Sequence, residues 1–211
     1  MSVETPDSIP ENLKSRLKDS YDAIADTYTE WSIKSADIRV GYLDKLLALL
    51  SPSHHDILEI GCGAGIPTTE KLLAHSPDFR ITANDLSSSQ IALGKKRLAG
   101  EVGCGGDRVT WVEGDMMQLD FPAESLDVVL GFYAIQHLPR DEQSVMIRRL
   151  ARWLKPGGYM LVNFTTEEAD HVVMTNFMGE KGWIYYSGRD EVKQVNAKAG
   201  HLWIIGKKPG G

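Results

Sequence analysis

The run Asp56-Ile57-Leu58-Glu59-Ile60-Gly61-Cys62-Gly63-Ala64-Gly65-Ile66-Pro67 constrains the architecture of this chain more than any other stretch. Ile57 to Ile60 is a short apolar run of the kind that forms a buried strand. Three glycines at alternate positions, Gly61, Gly63 and Gly65, break it, and a helical pattern begins at Thr68. Strand, glycine turn and helix start, in that order, set bare backbone N–H groups in a crevice at the carboxyl end of a sheet. Glycine suits such a turn because it has no Cβ to meet a ligand and accepts positive φ. A small ligand with an anionic part is expected there.

Alternating strands and helices continue from this point. The pattern predicts helices at Thr68 to His75, Ser87 to Ala99 and Arg140 to Leu154. Strands are expected at Arg80 to Leu86, Val109 to Glu113, Leu126 to Phe132, Tyr159 to Phe164 and His201 to Lys208. Ser87 and Gln90 have the spacing of a capping box, and Lys155-Pro156-Gly157-Gly158 carries helix-stop signals. The expected fold is α/β, a Rossmann-like, doubly wound and mostly parallel sheet with an antiparallel last strand. Ahead of it, helices over Glu11 to Thr29 and Ala36 to Leu50 predict an N-terminal helical cap, residues 1–50, on a core of residues 51–211, together one compact domain. Met1 to Pro10 reads as a frayed tail. The fourteen residues from Ser187 to Gly200 leave too little chain for a full helix and strand before the last strand, so a shortened C-terminal end is expected.

The net charge of −6 argues against general affinity for nucleic-acid phosphates. No apolar run reaches the ~20 residues of a membrane span, and Met1 to Pro10 lacks the form of a secretory signal. Cys62 and Cys104 offer neither a disulfide framework nor metal-ligand spacing. A cytoplasmic protein without metal, nucleic-acid or membrane partners is expected; oligomeric state is not legible.

Asp85 ends the second strand, twenty residues after Gly65, where a carboxylate can accept from both hydroxyls of an adenosine ribose. A dinucleotide site shares that feature, but Ile66 stands where its fingerprint has the last glycine. Four stretches then agree in order: Glu59 to Gly65, Asn84-Asp85-Leu86-Ser87, Glu113-Gly114-Asp115-Met116, and Leu150 to Gly158. Together they resemble the motifs of class I S-adenosylmethionine-dependent methyltransferases of the small-molecule type, over roughly Tyr21 to Phe164.

The resemblance implies S-adenosylmethionine as cofactor. Gly61, Cys62, Gly63 and Gly65 would face its methionine part, and Glu59 its ammonium. Asp85 would take the ribose hydroxyls, Leu86 would pack on the adenine, and Asp115 and Met116 would contact the adenine edge. Gly131 and Phe132 would border the ammonium and sulfonium. Tyr21 and Tyr28, seven apart on one helix face, would close over the cofactor. His137, after the fourth strand, would lie near the transferred methyl group and is the candidate general base. Trp31 and an aromatic loop over Val172 to Tyr186, with Phe177, Trp183 and Tyr185, would contact a small-molecule acceptor. The implied reaction is methyl transfer to an O, N or S atom of a small organic acceptor, such as a secondary metabolite. A non-catalytic, regulatory S-adenosylmethionine-binding protein and an NAD-linked oxidoreductase are the alternatives.

Overall fold

The computed structural model describes residues 2–101, 107–166, 169–188, 197–198 and 201–210. In chain order the elements are β1 (Ser2–Glu4), α1 (Leu13–Ala23), α2 (Ala25–Lys34), α3 (Asp37–Leu47), β2 (His55–Ile60), α4 (Thr68–His75), β3 (Phe79–Asp85), α5 (Ser88–Glu101) and β4 (Val109–Glu113), followed by β5 (Leu126–Gly131), α6 (Arg140–Trp153), β6 (Leu154–Thr165), β7 (Val172–Thr175), β8 (Trp183–Tyr186), β9 (Ala197–Lys198) and β10 (His201–Lys207). Short 3₁₀ turns at Met116–Gln118 and Ile135–His137 follow β4 and β5.

The main sheet has the order β4-β3-β2-β5-β6-β10-β9. β2 to β6 pair in parallel, and β10 runs antiparallel against β6. Strand order reverses between β2 and β5, which makes the crevice beyond their carboxyl ends the switch point where ligands bind in such sheets. Successive residues of a strand face opposite sides. Ile57 therefore joins the cluster of Leu43, Leu46, Leu72, Ile91 and Leu98, while Leu58 and Ile60 join Met146, Leu150 and Trp153. Helices thus cover both faces, as the strand–helix alternation predicts. No helix among the described residues is long and apolar enough to cross a membrane.

The structure corrects the sequence reading in several places. The first predicted helix breaks at Ile24 into α1 and α2, where Thr29 Oγ1 and Gln90 Nε2 both donate to the Ala25 carbonyl. The spacing of Ile38, Tyr42, Leu46 and Leu49 predicts the inward face of α3, but its buried residues are Arg39, Leu43, Leu46 and Leu47, and Leu49 is left 52% exposed. The stop signals at Lys155 to Gly158 lie inside β6, which takes over at Leu154. The expected tail forms β1, and the expected aromatic loop over residues 172–186 forms the hairpin β7–β8. Together they make a second sheet, β1-β7-β8, against which α1 packs. The N-terminal segment is thereby tied to chain far downstream. At the C-terminal end β9 pairs Ala197 and Lys198 with Leu202 and His201; residues 189–196 lie outside the described residues.

Gly65 has φ +72, and a Cβ there would lie 3.0 Å from both Leu98 Cδ1 and Trp111 Cη2. This glycine lets α5 and β4 close on the turn. Gly65→Ala is therefore expected to destabilise the fold by on the order of 2–3 kcal/mol, from left-handed strain and overpacking, as read by urea unfolding.

Candidate active site

Gly61 and Gly63 have φ +65 and +55, so the turn after β2 needs the left-handed backbone that glycine supplies. Asp85, at the end of β3, reaches back to it: Gly63 N–H donates to Oδ2 at 2.8 Å, and Ser87 N–H donates to Oδ1 at 2.9 Å. Burial raises the Asp85 carboxyl, and these N–H groups oppose the rise. Asn84 fixes the neighbouring loop by donating from Nδ2 to the carbonyls of Val112 and Gly114.

A cavity opens over this turn, with about 670 Å³ of empty space counted together with its open, solvent-filled mouth. Its walls include Tyr21, Tyr28, Gly61, Gly63, Asp85, Leu86, Asp115, Met116, Phe132 and His137 among the sequence-predicted residues. Lys14, Leu17, Gln90, Tyr133 and Leu138 are wall residues that the sequence reading missed. A second, smaller and more polar cavity shares Tyr28, Gly61, Gly63, Gln90 and Phe132 with the first. It adds Glu59, Cys62, Thr68 and Arg39.

Glu59 is 4% exposed and accepts from Thr69 Oγ1 at 2.5 Å. Burial pushes its carboxyl up to about 7 despite the hydroxyls of Thr69 and Thr68. Arg39, from α3, is 5% exposed and donates from Nη1 to the Ser32 hydroxyl and from Nη2 to the Ser32 carbonyl. Its buried Nε has no partner among the described residues. A lone arginine on a helix gives no sequence signal; α2 and α3 fold it inward. The Cys62 thiol, buried, is pushed well above its ordinary value and behaves as small packing.

On the opposite wall, His137 Nδ1 lies 2.5 Å from the Tyr185 carbonyl, and Nε2 lies 3.0 Å from the Tyr21 hydroxyl. A carbonyl only accepts, so Nδ1 carries the hydrogen, and in the neutral ring Nε2 accepts from Tyr21. Burial holds the imidazole below its ordinary value, the Tyr185 bond opposes this, and His201 adds to it. Burial likewise raises the Tyr21 hydroxyl well above its own value and the Tyr28 hydroxyl up to about 12. The two tyrosine rings meet edge to face, 5.2 Å apart.

Tyr133, between Phe132 and Ala134, has φ +56, a strained setting for an aromatic residue. Asn163 holds it there by accepting the Tyr133 N–H at 2.6 Å. At the other end, Asp115 caps its 3₁₀ turn by accepting from Met117 N–H and forms an ion pair with Lys14, whose ammonium also reaches Glu142 at 2.6 Å. Arg149 donates to the Met117 and Leu119 carbonyls and fixes this loop.

Six predicted residues lie away from the two cavities. Gly65 serves packing, and so does Gly131, where a Cβ would meet Ile60 at 2.9 Å. Trp183 and Tyr185 alternate on one face of β8 and are buried with Leu13, Leu17 and Val173 under α1. Phe177 sits in the β7–β8 turn, and Trp31 is 41% exposed beside Tyr28. The acceptor wall read from the sequence is corrected for Trp183 and Tyr185, which belong to a strand and are buried against α1; Phe177 and Trp31 line neither cavity.

A Rossmann-like α/β domain with a crevice at its switch point is the class that this fold and site define. Residues 57–158 match the model of the methyltransferase domain family. That match and the fold make this chain similar to the class I S-adenosylmethionine-dependent methyltransferases. It is 37% identical over 102 residues to a sterol 24-C-methyltransferase of Yarrowia lipolytica, covering 48% of this chain and 25% of that protein. It is 31% identical over 153 residues to the 27-O-demethylrifamycin SV methyltransferase of Amycolatopsis mediterranei, covering 65% and 54%. The solved structure of a DhpI–SAH complex shares the fold, with a TM-score of 0.69 and 20% identity over 96% of this chain and 99% of that one. The chain spans between 25% and 55% of the length of the curated relatives it matches.

Proposed function

We propose that the protein is an enzyme that transfers a methyl group from S-adenosylmethionine to a small organic acceptor. One observation carries the reading. The joined cavities set a ribose-type carboxylate, Asp85, at the glycine turn, and a buried guanidinium with an unpartnered Nε, Arg39, near a buried carboxylate, Glu59.

That donor set suits the cofactor. Asp85 would accept from the ribose hydroxyls while keeping its bonds from Gly63 and Ser87, since each oxygen has a second lone pair. Asp115, Met116 and Leu86 would hold the adenine, Asp115 shared with Lys14. Arg39 would pair with the α-carboxylate, and Glu59 would take the ammonium. A pyrophosphate suits it less. Among the described wall residues the cations are Lys14 and Arg39, and Lys14 is already ion-paired with Asp115 and Glu142. That disfavours an NAD-linked reading.

When bound, the sulfonium supplies a methyl group for in-line displacement, a step in which positioning alone can contribute much of the rate. The chain's own residues orient the reactants and move one proton. Phe132, Tyr133, Ala134 and His137 border the space next to the turn and would exclude water from an acceptor. A hydroxyl acceptor would lose its proton to the Tyr21 oxygen as Tyr21 gives its own to His137 Nε2. The Tyr185 carbonyl at Nδ1 supports the imidazolium so formed. Oxygen acceptors therefore use this pair most fully; an amine or thiol needs it less. A small molecule is the partner this reading implies, as for the rifamycin methyltransferase relative, and the cytoplasm its proposed setting.

The binding reading is tested by titrating S-adenosylhomocysteine, with NAD as comparison, and the activity by following its release across a panel of hydroxyl, amine and thiol acceptors. Tight binding of S-adenosylhomocysteine with no turnover on any acceptor would favour a regulatory binding protein instead.

Glu59 adds a pH signature. Its folded pKa of about 7 stands above the ordinary 4.5, so the folded protein keeps a proton that the unfolded chain releases. Stability from this group is fully present below 4.5 and lost as pH rises through about 7. A cofactor ammonium beside Glu59 favours the carboxylate. Binding near pH 6.5 is then expected to release a fraction of a proton, up to about one. Calorimetry in buffers of different ionisation enthalpy reads that release, and Glu59→Gln is expected to abolish it.

A further inference from the structure

Asp22 follows Tyr21 on α1 and is not part of the cavity wall. Its carboxylate is set instead into the first turn of α5. Oδ1 accepts from the Ser87 hydroxyl at 2.6 Å, from Ser89 N–H at 2.8 Å and from the Ser88 hydroxyl at 3.3 Å. Oδ2 accepts from Lys18 Nζ at 2.9 Å and from the Ser88 hydroxyl at 3.2 Å. A helix N-terminus leaves N–H groups unpaired and carries partial positive charge, and a side chain just before the helix ordinarily answers it. Here a second helix supplies that carboxylate. Burial opposes the charge on Asp22, but the bonds from Ser87, Ser89 and Lys18 outweigh it and hold the carboxyl well below its ordinary value.

Ser87 is the shared member. Its N–H donates to Asp85 Oδ1, and its hydroxyl donates to Asp22 Oδ1 while accepting from Gln90 N–H at 3.1 Å. The capping-box serine read from the sequence is thus real. The glutamine's side chain goes to α2, where its oxygen accepts from Thr29 Oγ1. Neighbouring residues on a helix point about 100° apart. With Asp22 seated on α5, the rotation of α1 is fixed, and it carries the Tyr21 hydroxyl to His137.

We propose that Asp22 is a positioning residue that couples the two ends of the site. Its seat on the Ser87–Ser89 turn sets the Asp85 carboxylate at the cofactor end and the Tyr21–His137 hydrogen bond at the other. Its effect on cofactor binding rests on the methyl-transfer reading; the coupling of Asp22 to the Tyr21–His137 bond is a property of the protein alone.

Two readouts test it, on Asp22→Ala, Asp22→Asn and, as a control, Asp19→Ala at an exposed acid of the same helix. The first is the ¹⁵N shift of His137 Nε2 without ligand, which reports the bond from Tyr21. The second is S-adenosylhomocysteine affinity by calorimetry. Asp22→Ala is expected to lose the hydrogen-bonded shift and to bind about tenfold more weakly, the effect of losing charge-assisted hydrogen bonds. Asp22→Asn keeps an oxygen for Ser87 and Ser89 and is expected to retain the shift and stay within about threefold of wild type. Asp19→Ala should match wild type in both. If Asp22→Ala does not fold, Ser87→Ala, which removes the shared hydroxyl, should move both readouts in the same direction. A folded Asp22→Ala or Ser87→Ala protein with the wild-type His137 shift would overturn the proposal. If wild-type protein binds no S-adenosylhomocysteine, the methyl-transfer reading fails, and the His137 shift alone still decides the coupling.

Discussion

Asp85→Ala is expected to weaken S-adenosylmethionine binding by more than tenfold, read by calorimetry. A half-buried carboxylate accepting from two ribose hydroxyls makes charge-assisted bonds worth about 1.5–3 kcal/mol each, and about 1.4 kcal/mol is already tenfold in affinity. The same change strips the partner from Gly63 N–H and Ser87 N–H. Each unpaired buried amide costs about 1–3 kcal/mol, so the variant should also unfold at lower temperature. Asp85→Asn separates the two effects: it retains one acceptor oxygen for the turn but loses the charge. Its affinity should fall while its melting temperature falls less. Unchanged affinity in both variants would remove Asp85 from the ribose site.

The second large effect is expected on turnover. His137→Ala should lower kcat with a hydroxyl acceptor by about 10²-fold, the lower end of what a positioned base contributes, because methyl transfer draws on positioning as well. Affinity for S-adenosylhomocysteine should stay within about threefold. Tyr21→Phe removes the hydroxyl between acceptor and imidazole and should lower kcat by a similar factor. The pH profile carries a further sign. The folded His137 pKa lies below 6.5 because its burial disfavours the cation. The neutral base therefore persists below pH 6.5, and the acidic limb of kcat should fall there and vanish in His137→Ala. Stability runs the same way: as pH falls below 6.5 the unfolded chain takes up a proton that the folded one refuses, so stability is lost on the acid side. A His137→Ala enzyme with wild-type kcat across pH would leave the imidazole a purely structural role.

The parallel sheet and its glycine turn were legible because they rest on local chemistry. Gly61 and Gly63 mark a backbone that needs positive φ, and Ile57 to Ile60 is apolar on both sides because both faces of β2 are covered. Asp85 was legible from its place at the end of a strand. The small sheet was not. Ser2 pairs with Thr175 across almost the whole chain, and three exposed residues of β1 have no periodicity to show. Trp183 and Tyr185 did carry a signal, since residues two apart share one face of a strand. Read as a loop, the same aromatics pass for a ligand wall.

Arg39 and Asp22 escaped for a related reason. Each is a single charged residue on a helix, and its role comes from the element it meets. For Arg39 that is the cavity between α2 and the glycine turn; for Asp22 it is the start of α5. Spacing paired Tyr21 with Tyr28 on one helix face, but the helix breaks at Ile24 and the rings meet edge to face from α1 and α2. That the Tyr21 hydroxyl meets His137 Nε2 depends on the distant Tyr185 carbonyl, which fixes the ring.

The most direct test of the central claim is a crystal structure of the protein with S-adenosylhomocysteine. The expected complex has both ribose hydroxyls on Asp85, the adenine beside Asp115 and Met116, and the α-carboxylate within reach of Arg39 Nε. The sulfur should face the space bordered by Phe132, Tyr133 and His137. A complex with the ligand outside these cavities, or a protein that takes up no S-adenosylhomocysteine at millimolar concentration, would contradict the account.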